Sequence, residues 1–167
     1  MKTKQGLDEL DLKILSELQK DCRTPLQEVA KRVGAPSSTV HYRVKKLERE
    51  GIIDGYYAHI NSEKLDMDYL TIIRIGAEYG PKYYDDVGKK LAETEGVWAV
   101  YFVLGETDFY VLTRSADRRS YMKILDRIMS LEHIKRTSTQ VVAKVIKEDP
   151  RLQILTLQKE ANEEESA

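Results

Sequence analysis

Hydroxyls, an imidazole, a phenol and cations crowd residues 37–50, SSTVHYRVKKLERE. Wound as a helix, Val40, Val44 and Leu47 share a narrow apolar stripe, while Ser38, His41, Tyr42, Lys45 and Arg49 lie opposite, with Ser37 near the exposed N-terminal end. Short hydrogen-bonding groups near the start of such a helix can reach base edges in a major groove, and its cations can meet phosphates. The candidate DNA contacts are therefore Ser37, Ser38, Thr39, His41, Tyr42, Arg43, Lys45, Lys46 and Arg49. The competing reading is an ordinary solvated face, and charge argues against it. Six basic residues (Lys31, Arg32, Arg43, Lys45, Lys46, Arg49) face one acidic residue, Glu48, between positions 31 and 49 of a chain whose net charge is −1. Such a local surplus is the footprint of a polyanionic partner.

A second group is Gly105-Glu106-Thr107-Asp108 between two apolar runs, together with the hydroxyls of Thr137, Ser138 and Thr139. Read from the residues alone, the four-residue segment is a plain hairpin turn, with glycine supplying a positive φ and aspartate bonding its own backbone. Little else is poised for catalysis. His41, His59 and His133 fall in different elements and show no metal-ligand spacing with Cys22, and no phosphate-binding loop or nucleophile elbow occurs. The expectation is a protein that is not an enzyme and needs no cofactor or metal. His41 is read as a DNA-face residue, His59 and His133 as surface groups, and Cys22 as a tolerated residue near a helix end.

The elements that must position these groups are legible from their punctuation. Thr24 and Gln27 have the spacing of a capping box, with Pro25 at the first helical position. Leu26, Val29, Ala30 and Val33 recur at helical spacing, and Gly34 can take the left-handed conformation that ends a helix. Ala35 and Pro36 make the turn, the second helix follows, and Gly51 closes it. Upstream, Asp8 with Asp11 predicts an N-cap, Leu7 and Leu12 a hydrophobic staple, and Leu10, Ile14, Leu15 and Leu18 a first helix to about Lys20. Two helices across a tight glycine turn, backed by a third, describe a helix-turn-helix unit. Ile52, Ile53, Tyr56, Tyr57 and Ile60 look extended, with Asp54-Gly55 as a turn, predicting a wing or linking strand.

From Tyr69 the period changes. Strands are expected at 70–77, 97–104, 109–113 and 137–147, and helices on the stripes Tyr84, Val87, Leu91, Ala92 and Tyr121, Ile124, Leu125, Ile128, Leu131. The order βαββαβ is the ferredoxin-like pattern, so the fold class is α+β: an N-terminal helix-turn-helix unit and a C-terminal ferredoxin-like domain. Residues 1–53, 54–68, 69–148 and 149–167 are the expected DNA-binding domain, strand linker, ferredoxin-like domain and tail. The run VWAVYFVL is apolar on both sides, whereas a sheet wet on one face should alternate. A second subunit is the expected cover. A twofold dimer would also present two reading helices to a quasi-palindromic duplex.

Composition sets the background: 41% hydrophobic and 33% charged residues suit a soluble globular protein. No apolar run approaches a membrane span, and MKTKQGLDELD lacks a secretory apolar region, so no membrane partner and a cytoplasmic location are expected. The first 60 residues carry 11 Lys and Arg against 9 Asp and Glu, and the remainder 16 against 19. The tail begins with the amphipathic RLQILTLQ, which could pack on the protein or extend into solvent, and ends in the acidic ANEEESA, where disorder is expected.

LDELDLKILSELQKD, STVHYRVKKLEREGII and the GETD turn, in this order and spacing, resemble the Lrp/AsnC (feast/famine) family of transcription regulators, over nearly the whole chain. The resemblance implies a C-terminal RAM domain that dimerises by sheet packing and assembles into tetramers or octamers, with amino acids or related metabolites binding between dimers and altering assembly or DNA binding. It maps the family's G-x-x-D turn onto Gly105, Glu106, Thr107 and Asp108. Main-chain N–H groups there would hold a ligand carboxylate, and Asp108, the foremost candidate, would pair with an ammonium or orient the loop. Thr137, Ser138 and Thr139 would line the same pocket. The alternative within the same fold is an effector-independent, architectural DNA-binding protein.

Overall fold

The computed structural model describes residues 6–152 and 154. Two compact units emerge: one is built from the N-terminal segment to Ala58 plus the segment from Glu148, the other runs from His59 to Lys147.

In the first unit, helix α1 (Glu9–Lys20) starts as expected. The Asp11 N–H donates to Asp8 Oδ1 at 3.0 Å and the Asp8 N–H returns to Asp11 Oδ2 at 3.1 Å, satisfying two of the end donors a helix leaves open. Helix α2 (Leu26–Val33) does not use the expected Thr24/Gln27 box. Pro25 itself occupies the cap position, and its carbonyl accepts the N–H groups of Glu28 and Val29 at 2.8 and 3.1 Å. A proline with φ −55° and ψ 137° is already shaped for that place, and it pushes Thr24 out of reach. Pro36 repeats the device before helix α3 (Ser37–Arg49). Between them Gly34 sits at φ 70°, the left-handed residue that turns the chain from α2 into α3.

Ile14, Val29, Val40 and Leu47, each no more than 1% exposed, form the centre of this unit, with Leu7 and Leu12 at its edge. Ile154 of the tail is buried in the same cluster. The rest of the tail beyond Leu152, ANEEESA included, lies outside the described residues. The expected wing is not formed: no strand lies at 52–60 among the described residues. Ile52 and Ile53 instead donate their N–H groups to the Leu47 carbonyl at 2.9 and 3.1 Å and pack on the helices, so the apolar pair that suggested a strand closes α3.

The second unit begins with a single 3-10 turn, Glu63–Leu65, followed by strand β1 (Tyr69–Ala77), helix α4 (Tyr83–Ala92), strands β2 (Val97–Phe102) and β3 (Phe109–Ser115), helix α5 (Arg118–Met129) and strand β4 (Ile134–Val141). The sheet is antiparallel in the order β2-β3-β1-β4, the ferredoxin-like arrangement. Ile73, Ile75, Phe109 and Val111 face Val87, Leu91, Tyr121, Ile124 and Ile128 of the two helices. The Thr71 and Thr113 hydroxyls, both fully buried, satisfy each other at 2.7 Å. By alternation the other face carries Ile72, Arg74, Ala99, Tyr101, Tyr110 and Leu112, none of them buried.

Several strand limits differ from expectation. β2 ends at Phe102 because Val103 and Leu104 belong to the turn, and β3 continues to Ser115. β4 starts three residues earlier and stops at Val141, not at 147. Its ladder is set by β1, whose Ala77 pairs with Ile134 and whose Thr71 pairs with Val141, leaving little strand beyond to pair with.

Candidate functional site

Helix α3 presents the expected polar face. Ser37, Ser38, His41, Tyr42, Lys45 and Arg49 are exposed, Tyr42 by 62%, and Thr39 and Lys46 are half-buried. The Val40, Val44 and Leu47 stripe seats the helix and fixes which side looks outward. Lys45 Nζ lies 2.8 Å from Glu48, whose other oxygen accepts from the Tyr56 hydroxyl at 3.0 Å. The hydrogen bond from Lys45 holds the Glu48 carboxyl below its ordinary value, while burial, with Glu48 beside it, pushes the Tyr56 phenol up to about 12. The one acid of this stretch is thereby occupied inside the protein.

Arg43 departs from its expected role. Its guanidinium turns inward, 2.7 Å from Asp8 Oδ2 and 3.1 Å from both oxygens of Asp11, which is 1% exposed. It ties α3 to the capping box of α1 and is not a DNA-facing cation. Burial alone would raise the Asp8 carboxyl, but the Asp11 N–H and the Arg43 guanidinium outweigh it and hold Asp8 below the ordinary range.

A second site lies on the helix-free face of the sheet. The β2–β3 turn, the first half of β4 and the end of β1 enclose an open cleft of about 490 Å³. Gly105, Glu106, Thr107, Thr137 and Ser138 line it, as expected. Gly105 sits at φ 150°, a conformation that favours glycine and lets the turn fold over the cleft. Asp108 and Thr139 do not line it. Asp108 is 8% exposed, and its carboxylate accepts the Ala77 N–H at 2.8 Å and the Tyr83 hydroxyl at 3.1 Å, while its own N–H donates to the Ile75 carbonyl at 2.9 Å. It staples the turn to β1 and α4. Thr139 follows the alternation to the helix side, where its hydroxyl bonds that of Tyr121. Burial, and then the Asp108 bond, raise the Tyr83 phenol.

The cleft also has walls that motif reading missed. Arg74 and Gly76 of β1, Arg136 of β4 and Tyr110 of β3 belong to it. The signal was present: Arg74 is the one charge in the run LTIIRIGA. Arg74 donates to the Ser138 hydroxyl at 3.2 Å, and Arg136 donates to the Glu106 carbonyl at 2.6 Å.

Residues 7–54 match the winged helix-turn-helix DNA-binding family model, and residues 70–152 match the Lrp/AsnC ligand binding domain. The leucine-responsive regulatory protein of Escherichia coli is 35% identical over 154 residues, covering 91% of this chain and 94% of the relative. The chain belongs to the Lrp/AsnC family. It is a DNA-binding transcriptional regulator of that type, and α3 lies within the segment that matches the DNA-binding family. Among solved Lrp/AsnC-like structures, a transcriptional regulator of Neisseria meningitidis in complex with L-Met superposes with a TM-score of 0.81 at 26% identity, over 90% of this chain and 99% of that one. A feast or famine regulatory protein of M. tuberculosis, complexed with L-methionine, gives 0.79 at 31%, over 88% and 99%. The family model is called winged, yet this member spends Ile52 and Ile53 on its helical core. No helix among the described residues is long and apolar enough to cross a membrane.

Proposed function

We propose that this Lrp/AsnC regulator acts in the cytoplasm as a homodimer, assembling further to a tetramer or octamer, that reads a quasi-palindromic duplex and is modulated by an amino acid or related metabolite, with no catalytic step. The observation carrying effector control is the cleft at Gly105–Thr107 and Thr137–Ser138, inside the segment matching a ligand binding domain, while two solved relatives are methionine complexes. In this reading Ser37, Ser38, Thr39, His41 and Tyr42 meet base edges and Lys45, Lys46 and Arg49 meet phosphate. The uncovered sheet face with Tyr101 and Leu112 is the dimer surface, because a face of half-buried apolar groups gains by pairing with its own copy.

A thermal-shift screen of the full chain against the common amino acids tests the effector arm, since a ligand bound only by the folded state raises Tm. A shift, with a change in mass or in affinity for its own upstream DNA, is the expected outcome. An unchanged Tm with every amino acid at millimolar concentration would leave the effector-independent alternative.

A further inference from the structure

Arg74 and Arg136 stand on the same face of neighbouring strands. The register pairs Arg74 with Ser138 and Gly76 with Arg136, so the two arginines are diagonal neighbours, at a spacing where side chains of that length interact directly. Like charges so placed repel, and the sheet nevertheless holds both in place. The Ser138 hydroxyl receives Arg74, and the Glu106 main-chain carbonyl receives Arg136. Gly76 makes the second position possible: a Cβ there would lie 2.8 Å from Arg136 Cγ and Nε, so only a residue without a side chain lets the arginine lie flat across β1 toward the turn. Each guanidinium carries five N–H donors in a fixed fork, far more than these single acceptors use.

The lining thus brings two cations against one carboxylate, that of Glu106, within a region of the chain that is acidic as a whole. A neutral amino acid carries one charge of each sign and would leave the surplus guanidinium facing itself across the cleft. An amino acid with a second carboxylate matches the lining: one carboxylate for each arginine, and Glu106 with the cleft hydroxyls for the ammonium. Resting on the effector reading above, we infer that the ligand of this cleft is an acidic amino acid, L-glutamate or L-aspartate, with Arg74 and Arg136 as the residues that select it.

The test is calorimetric titration of the full chain with L-glutamate, L-aspartate, L-glutamine, L-methionine, L-leucine, L-lysine and inorganic phosphate. It is repeated on Arg74→Gln and Arg136→Gln, with unliganded melting curves to show that both variants fold. Glutamate or aspartate should bind about tenfold or more tighter than glutamine, the scale of one charge-assisted hydrogen bond. Each variant should lose about that factor for the acidic ligand and little for glutamine. Gly76→Val, which crowds Arg136 without changing charge, should weaken the acidic ligand in the same direction. Methionine, leucine or lysine binding as tightly as glutamate overturns the inference and leaves effector control standing. Phosphate matching glutamate overturns the assignment to an amino acid. Absence of binding by every amino acid removes the effector reading and this inference with it.

Discussion

Arg43 and Lys45 are two positions apart on one helix and do different work. Lys45 is exposed, whereas Arg43 neutralises Asp11 at 1% exposure. Arg43→Ala leaves a buried carboxylate without its partner and should cost about 3 kcal/mol in urea denaturation, while leaving the salt slope of DNA binding unchanged. Lys45→Ala should do the reverse, lowering that slope by about one with little change in stability. The Asp8 carboxyl, held below its ordinary 3.8, contributes stability that is complete above that pH and lost as pH falls through its lower folded value. The Tm gap between the protein and Asp8→Asn should therefore be full at pH 7 and shrink below pH 3.8. Asp108→Ala strands the buried Ala77 N–H and should cost about 1–3 kcal/mol by the same denaturation measurement. These roles were hidden in the sequence for one physical reason: residue type states what a group can bond, not which way it turns. Arg43 looked like its basic neighbours, but its partners lie 32 and 35 residues away.

At the level of elements, the apolar periods made all five helices and the strand order legible, because burial on one side leaves a period in the chain. Their ends were less so. The Thr24/Gln27 spacing was sound chemistry, but Pro25 took the cap, and the limits of β4 follow from how far β1 extends, which no local pattern encodes. The same reasoning explains the cleft. On β4 the Ser138 hydroxyl faces the cleft beside Arg74, while Thr139 turns to the other side of the sheet and bonds Tyr121 beneath the helices. Gly34→Ala should cost about 1 kcal/mol in chemical denaturation, since an L-residue resists φ 70°.

For the whole molecule, the apolar content of the sheet's bare side asks for a second copy. Tyr101, 55% exposed, stands on that side of the edge strand β2, opposite the half-buried Tyr110 of β3. Tyr101→Glu should shift the solution mass at micromolar concentration toward that of one chain and weaken operator binding, because two reading helices would no longer be held together. An unchanged mass would move the proposed interface elsewhere.

Ile154, 6% exposed, lies in the helical core formed by residues more than a hundred positions earlier. Ile154→Ala should therefore lower the stability of the DNA-binding unit by about 2–4 kcal/mol. The ligand-binding unit is then an insertion, leaving its host at Ala58 and returning at Glu148. A fragment cut after residue 58 would lack a piece of its own interior, and proteolysis anywhere between 148 and 152 would loosen the helical unit some hundred residues upstream.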